Sequence, residues 1–132
     1  MKEILALLII VLFVSGCTGD TFVERTTVTR VIDGDTFIIN TGERVRIIGI
    51  DTPEINEEHY AEAKAALEAM LLDKEVTLIK DVSERDRYGR LLRYVEVDGL
   101  DVGYTLVCGG FAEAVRYRPD TARAEKYEAC ED

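Results

Sequence analysis

The sequence has few of the features that mark a basic nucleic-acid-binding protein, a zinc site or a disordered chain. Sixteen Lys and Arg against 26 Asp and Glu give a formal net charge of −10, which excludes binding of nucleic acid through bulk positive charge. Two prolines, no long polar tract and no repeat period argue against a disordered or repetitive chain. The 132 residues, 47% of them hydrophobic, are enough for one compact domain and too few for two.

The N-terminal segment has the order of an export signal. Lys2 precedes an apolar run over residues 4–14, and Ser15-Gly16-Cys17 follows. A transmembrane helix needs about 20 apolar residues, so this run is too short to be one. Its end is similar to a lipoprotein signal, which implies cleavage before Cys17 and diacylglycerol on its thiol. A plain signal peptide and a buried N-terminal helix are the alternatives.

These features predict how the chain is divided and where it is located. We expect the domain to be exported and either lipid-anchored at the outer face of the cell membrane or secreted. The predicted parts are a signal peptide over 1–16, a tether over 17–25 and a folded domain over 26–132.

Export would place the other two cysteines, Cys108 and Cys130, in an oxidising compartment. A disulfide between them is one expectation, and two buried free thiols are the other. A bridge closing a loop of about 20 residues would contribute roughly 3 kcal/mol in the chain-entropy model. The pair does not suggest a zinc site, because there is no further thiol near it and His59 lies far away in sequence.

The apolar pattern and the turn signals predict an α+β domain built on a barrel. β-Branched runs are typical of strands, and Asn40-Thr41-Gly42-Glu43 is typical of a hairpin turn. One apolar stripe at helical spacing predicts a helix that faces the core, namely Ala63, Ala66, Leu67, Met70 and Leu71. The predicted strands are 28–32, 36–39, 44–50, 75–80 and 91–97, and the predicted helices are 61–72, 101–107 and 121–130.

Four acidic residues lie around the predicted hairpin. Asp33, Asp35 and Asp51 come at strand ends beside turns, and Glu54 follows shortly. Pairing about the hairpin turn places Asp35 roughly opposite Ile48, close to Asp51. Two carboxylates at such a short distance repel each other unless a cation lies between them. A site with oxygen ligands and without His or Cys suits Ca²⁺ or Mg²⁺. For Asp33 and Asp35, ordinary turn residues are the alternative.

Two arginines accompany these acids. Arg46 lies between Val45 and Ile47, so its side chain shares a face with Ile48, towards the acidic end of the hairpin. Arg90 begins the strand predicted over 91–97. Guanidinium groups beside a metal suit a phosphodiester, because charge grows on its oxygens as a nucleophile adds. Surface ion pairs are the alternative for each arginine.

Three motifs together resemble the thermonuclease family of staphylococcal-nuclease-like domains. They are Ile32-Asp33-Gly34-Asp35-Thr36, the segment from Arg46 to Glu54, and Asp86-Arg87-Tyr88-Gly89-Arg90-Leu91. The resemblance covers about residues 26–127 in the family's order. It implies a five-stranded OB-fold barrel with about three helices. It also implies Ca²⁺-dependent endonucleolytic hydrolysis of DNA or RNA, leaving 3′-phosphate ends.

The resemblance also implies a role for each matching position. Asp35 and Asp51 would bind Ca²⁺ through their carboxylates, and Thr52 through its carbonyl oxygen. Glu54 would orient or deprotonate the attacking water. The scissile phosphate would be bound by Arg46 and Arg90.

Three further positions would contact the substrate. The resemblance places Arg87 and Tyr88 near the phosphate on the 3′ side and Tyr117 in a base pocket. Stacking on tyrosine tolerates any base, so sequence preference should be weak. Plain packing is the alternative for Tyr117, because the family's other pocket tyrosine is replaced by Val115. The connection after Glu54 and the C-terminal end are also shorter than in relatives.

Two other functions compete with the nuclease. One is an OB-fold module that binds single strands without cutting them, and the other is a surface lipoprotein stabilised by calcium. Neither explains why Glu54 and two arginines accompany the acids. The expected partners are therefore a DNA or RNA substrate and, through a lipid on Cys17, the membrane, with a monomeric domain.

The assignment of Cys17 predicts a measurable mass. If the thiol is acylated, the mature chain begins at Cys17, carries the mass of the lipid and fractionates with membranes. Mass spectrometry of the membrane and medium fractions checks this. A freely secreted chain without added mass would contradict the lipid anchor.

Overall fold

The computed structural model describes residues 23–131. The predicted signal peptide and Cys17 lie outside the described residues. The first strand begins at Val23, within the stretch predicted as a tether. Residues 23–25 are part of that strand because their backbone pairs with residues 77–79 of a neighbouring strand.

Eleven elements follow one another along the described chain. The strands are β1 (Val23–Val31), β2 (Thr36–Ile39), β3 (Arg44–Ile47), β4 (Ile50–Asp51), β5 (Glu75–Ile79), β6 (Leu91–Val97), β7 (Leu100–Asp101) and β8 (Glu113–Ala114). The helices are α1 (Tyr60–Leu71), α2 (Val102–Cys108) and α3 (Ala124–Glu128).

Five of these strands close into a barrel, as the OB fold requires. An irregularity between Val28 and Arg30 divides β1, so that its first half pairs with β5 and its second half with β2. β2 also pairs antiparallel with β3, and β5 pairs antiparallel with β6. Parallel pairing of β3 with β6 closes the barrel. The predicted five-stranded α+β barrel with three helices is therefore confirmed.

The core lies inside the barrel and under the helices. Val28, Phe37 and Val45 are completely buried in the interior. The predicted apolar stripe of α1 is confirmed, because the buried residues of this helix, Ala63, Leu67 and Leu71, all belong to the stripe. Among the helices of residues 23–131, none has the length and apolar character needed to cross a bilayer.

The strand predicted over 44–50 is instead two strands, β3 and β4, separated by a turn. Gly49 has a φ of +84°, a conformation that costs glycine little and other residues more. A Cβ atom there would also lie 3.2 Å from the ring of Tyr127. The turn redirects the chain, and β4 leaves the barrel to pair with β8.

The C-terminal part of the domain is held by a disulfide and by one buried carboxylate. Cys108 and Cys130 form the disulfide, with their Cα atoms 5.0 Å apart. Asp101 caps α2 by accepting a hydrogen bond from the Tyr104 backbone amide, at 3.2 Å.

The same Asp101 carboxylate accepts three side-chain hydrogen bonds. They come from the Tyr127 hydroxyl at 2.7 Å, the Arg123 guanidinium at 2.8 Å and the Lys126 ammonium at 3.0 Å. Burial alone would raise the pKa of Asp101, but the hydrogen bonds from Tyr127 and Lys126 and the charge of Arg123 lower it.

These contacts predict a pH-dependent loss on Asp101→Asn. A carboxylate whose pKa is depressed by folding stabilises the protein above its ordinary pKa of about 4, and this contribution disappears as the pH falls through the folded value. The substitution should lower the free energy of unfolding by about 1–3 kcal/mol at neutral pH and by much less in acid. Urea unfolding at both pH values measures this. The exposed Asp98→Asn should change stability by less than about 0.5 kcal/mol, and an equal loss in both variants would contradict the assignment.

Candidate active site

One end of the barrel brings together the β1–β2 loop and the turn between β3 and β4. The hairpin pairs Thr36 with Arg46, and the Ile47 amide donates to the Asp35 carbonyl at 2.9 Å. Asp35 therefore lies opposite Ile47, so the prediction of Ile48 was wrong by one residue. The reason is the length of the turn, in which Ile39 donates directly to the Glu43 carbonyl.

Asp35 is a buried carboxylate surrounded by donors. Its Oδ2 accepts from the Thr52 backbone amide at 3.2 Å and from the Thr52 hydroxyl at 3.1 Å. Its Oδ1 accepts from the Thr36 hydroxyl at 3.0 Å. These contacts join the β1–β2 loop to the segment that follows β4. They also orient the carboxylate, because each of its oxygens has a hydrogen-bond donor.

Arg46 lies between the two predicted metal-binding carboxylates. Its Nη2 is 3.4 Å from Asp35 and 3.5 Å from Asp51. Its Nη1 donates to the carbonyl oxygens of Ile47, at 2.6 Å, and Ile50, at 2.8 Å. The predicted approach of Asp35 and Asp51 is thus found, and within residues 23–131 the positive charge they share is the Arg46 guanidinium.

Asp33 completes this acidic end. Its Oδ1 accepts from the Asp35 backbone amide at 3.1 Å. Burial, together with the neighbouring Asp35 carboxylate, raises the pKa of Asp33 to about 6. Burial also works against the charge on Asp35, but Arg46 and the hydrogen bonds from Asp33, Thr36 and Thr52 lower its pKa. The pair therefore favours an ionised Asp35 beside a more basic Asp33.

The atoms at this end that could bind a metal ion are all oxygens. Asp35, Asp51 and the backbone around Thr52 offer oxygen only, which fits a hard cation such as Ca²⁺ or Mg²⁺. In the part of the chain that the structure describes, no three His, Cys, Asp or Glu side chains form a ready cluster for a metal ion. The chemistry of the site is therefore that of two carboxylates supplemented by backbone oxygen.

Arg90 approaches the same end from the β5–β6 loop. Its Nε donates to Asp86 Oδ2 at 2.7 Å, and its backbone amide donates to Asp86 Oδ1 at 3.0 Å. Its Nη1 lies 3.4 Å from the Thr36 hydroxyl, which in turn donates to Asp35. The role of Asp86 was not predicted from the sequence, although an aspartate four residues before an arginine, across a glycine turn, is a signal for such a contact.

A cavity of about 380 Å³ opens beside the two arginines. Leu92 and Val115 contribute apolar walls, and Tyr117 lies at the rim, about half exposed. The lining also includes all the predicted substrate-binding residues: Arg46, Arg87, Tyr88, Arg90 and Tyr117. The cavity therefore combines guanidinium donors with an apolar surface. This combination suits a ligand that has both an anionic group and a flat ring.

Tyr88 is an exposed ring held between arginines. The guanidinium carbon of Arg87 is 4.8 Å from the ring centroid and that of Arg90 is 5.4 Å away. Arg87 also donates to the Tyr88 hydroxyl at 2.7 Å. The structure thus groups all three predicted residues of this loop at the cavity.

Glu54 is not brought into this network. It is exposed, and its backbone bonds to Glu57 twice: its amide donates to the Glu57 carboxylate at 3.1 Å, and its carbonyl accepts from the Glu57 amide at 2.9 Å. Within residues 23–131 its own carboxylate has no hydrogen-bond or ion-pair partner. Its predicted part in activating water therefore depends on a bound substrate or water rather than on a contact with the two arginines.

Gly34 is a site residue that sequence reasoning did not single out. A Cβ atom there would lie 2.8 Å from the Thr52 hydroxyl oxygen and 2.9 Å from Ala63 Cβ. Absence of a side chain therefore lets Thr52 approach the Asp33–Asp35 loop closely enough to bond Asp35. The Asp-Gly-Asp spacing was a visible signal, but only the packing of α1 shows the reason for glycine.

The fold and the site define an OB-fold domain with an arginine-lined cavity beside an acidic barrel end. A family model described as staphylococcal nuclease homologue matches residues 44–132, and the chain belongs to that family. It is 36% identical over 110 residues to the thermonuclease of Staphylococcus hyicus, covering 76% of this chain and 65% of that protein. It is 38% identical over 135 residues to the thermonuclease of Staphylococcus intermedius, covering 89% and 80%.

A further relative shows how much of other family members the chain spans. The endonuclease YncB of Bacillus subtilis is 37% identical over 112 residues, which cover 76% of this chain and 53% of that protein. The chain thus spans less than two thirds of the Staphylococcus hyicus relative and about half of the Bacillus relative.

The packing at Gly34 predicts that Gly34→Ala separates Thr52 from Asp35. Overpacking of this kind should cost about 1–3 kcal/mol, and the Thr52 amide should exchange with solvent faster. Gly42→Ala is the control, because a Cβ there meets no atom within 4 Å and only its φ of +86° is strained. Urea unfolding and hydrogen exchange followed by NMR measure both effects. Unchanged exchange of Thr52 in Gly34→Ala would contradict the packing argument.

Proposed function

We propose that this protein is a nuclease that hydrolyses phosphodiester bonds of DNA or RNA with Ca²⁺ and weak sequence preference, leaving 3′-phosphate ends. The observation that carries the proposal is Arg46, whose guanidinium lies within 3.5 Å of both Asp35 and Asp51 and also lines the cavity. An anion bound in that cavity would meet two arginines and lie beside two carboxylates. The thermonuclease and endonuclease names of the relatives agree with this chemistry.

Each group at the barrel end has a part in this reaction. Asp35, Asp51 and the Thr52 carbonyl would hold the cation, whose chemistry when bound is to polarise a phosphate oxygen and a water. Arg46 and Arg90 would bind the non-bridging oxygens and offset the charge that grows on them. Both guanidinium groups are already oriented, that of Arg46 by carbonyl oxygens and that of Arg90 by Asp86. Less free energy is therefore needed to reorganise these side chains when the phosphate binds.

Glu54 is assigned to the attacking water. It follows Pro53 directly after the Thr52 backbone, so it lies on the chain segment next to the cation ligands. Its exposed carboxylate is free to accept a proton or a hydrogen bond from water in line with the leaving oxygen. Arg87 and Tyr88 would bind the phosphate on the 3′ side, and Tyr117 would stack on a base.

The location and assembly of the protein follow the sequence features. We propose that it is exported and acts as a monomer, either anchored through a lipid on Cys17 or secreted. An extracellular position would supply Ca²⁺ and explain why a disulfide joins Cys108 to Cys130.

One set of digests tests the activity. The full chain is incubated with DNA and with RNA, each with Ca²⁺ and with a chelator, and the products are separated by gel and examined for end groups. A nuclease degrades the polynucleotide only with the metal and leaves 3′-phosphates. Binding without cleavage would favour a single-strand-binding OB module, and an effect of Ca²⁺ on stability alone would favour a structural calcium site.

The arginine assignment predicts a large loss on Arg46→Ala. If the guanidinium binds the transition state more tightly than the ground state, kcat should fall about 10²–10³-fold, as for a lost oxyanion donor. Steady-state hydrolysis at saturating Ca²⁺ measures kcat, and urea unfolding establishes that the variant is folded. Arg25→Ala is the control, because that exposed arginine lies on β1 and is not among the residues that line the cavity. Unchanged turnover of Arg46→Ala would refute the assignment.

A further inference from the structure

We propose that Arg30 and Arg44 extend the candidate site along the outer face of β1, β2 and β3, and bind backbone phosphates of a single-stranded polynucleotide beyond the one being cleaved. This inference rests on the proposed nuclease function, because the same strand would occupy the cavity. We call Arg30, Ile38 and Arg44 the outer arginine row.

The register of three strands places these residues side by side. Arg30 of β1 is paired with Ile38 of β2, which is paired with Arg44 of β3. Paired residues point to the same face of a sheet. Phe37 and Val45, the adjacent pair, are fully buried in the barrel, so the outer arginine row lies on the opposite face. Arg30 and Arg44 are indeed exposed, and Ile38 between them is half-buried.

The row is continuous with the candidate site. Arg46 lies two residues after Arg44 on the same strand, so the two side chains share a face about 6.6 Å apart along the chain. The parallel register of Val45 with Leu91 places Arg44 beside Arg90, the residue that directly precedes β6. A strand of nucleic acid leaving the cavity over this face would therefore pass from Arg46 and Arg90 to Arg44, and then to Arg30.

The charges of the row are available to a ligand. Within residues 23–131, neither Arg30 nor Arg44 has a carboxylate within 4.0 Å, whereas Arg46, Arg85 and Arg90 do. Glu43, the acid next to Arg44, is already paired with Arg85 at 2.6 Å. In a chain of net charge −10, two arginines without acid partners, one strand apart on the same face, form a local positive surface.

A polyanion in extended form fits this surface. The row is two strand spacings wide, about 9.6 Å between the outer strands. The face formed by strands 2 and 3 is where OB folds bind oligonucleotides. Backbone phosphates are the anions that arginines bind without reading sequence, which agrees with the weak sequence preference proposed for hydrolysis.

Binding measurements with oligonucleotides of two lengths test the row. The full chain is titrated, with a chelator to prevent hydrolysis, with a fluorescent trinucleotide and with an oligothymidylate of about 15 nucleotides, a length that spans more than one subsite. The variants are Arg30→Gln with Arg44→Gln, and the control Arg25→Gln with Lys74→Gln. The control changes the net charge equally at exposed positions away from the row.

The row predicts a loss that depends on length. The double variant should bind the long oligonucleotide about tenfold more weakly, and its salt dependence, the slope of log Kd against log salt, should fall by about 1.4 for two lost phosphate contacts. Its affinity for the trinucleotide should not change, and the control should resemble the wild type with both ligands. Equal loss with both lengths, or equal loss in the control, would overturn the inference.

Hydrolysis of DNA by the wild type with Ca²⁺ is measured in parallel. Its absence would contradict the proposed nuclease function. A wild type that cleaves DNA but binds both lengths with equal affinity would contradict the outer arginine row and leave the nuclease function standing.

Discussion

The candidate site depends on one guanidinium. A buried carboxylate such as Asp35 is costly in free energy unless a partner compensates its charge, and Arg46 is that partner. The same side chain holds the carbonyls of Ile47 and Ile50, and approaches Asp51. Because it joins the β1–β2 loop to the turn between β3 and β4, Arg46 determines the shape of the barrel end and also its charge.

Groups far from the acidic end hold the walls of the cavity in place. Asp120, only 1% exposed, accepts from the amides of Val82 at 2.9 Å and Ser83 at 2.7 Å. Its own amide donates to the Tyr117 carbonyl at 2.7 Å. Asp120 thus joins the segment that carries Tyr117 to the loop that carries the Arg87, Tyr88 and Arg90 side chains. The cavity is therefore positioned by contacts that take no part in the chemistry.

Local order outweighs overall charge in this protein. The net charge of −10 repels a polyanion at long range, yet Arg46 and Arg90 are held in fixed orientations by oxygen acceptors. Oriented guanidiniums at a partly buried site are screened less by solvent and salt than exposed charges are. A surface that is acidic on the whole can therefore still present oriented positive groups at one end of the barrel.

Several parts of the fold could be predicted from the sequence. The bounds of β2 and β6 were exact, because a clear turn signal containing glycine follows each strand. The buried stripe of α1 followed from its helical spacing. The start of β1 was missed because the residues that follow Val23 are all polar as far as Thr27 and gain their partner only from β5. The hairpin register differed by one residue, because spacing does not determine which residues close a turn.

The sequence by itself determined the chemistry: which carboxylates, arginines and tyrosines are available, in which order, and on which side of a strand. Tertiary structure alone decided how they meet. It placed Arg46 between Asp35 and Asp51, left the Glu54 carboxylate outside the network, closed the Cys108–Cys130 bridge and made Gly34 a packing requirement. The physical reason is that periodicity fixes the face of each side chain within its own element, whereas distances between elements depend on turn geometry and on how helices pack over the barrel.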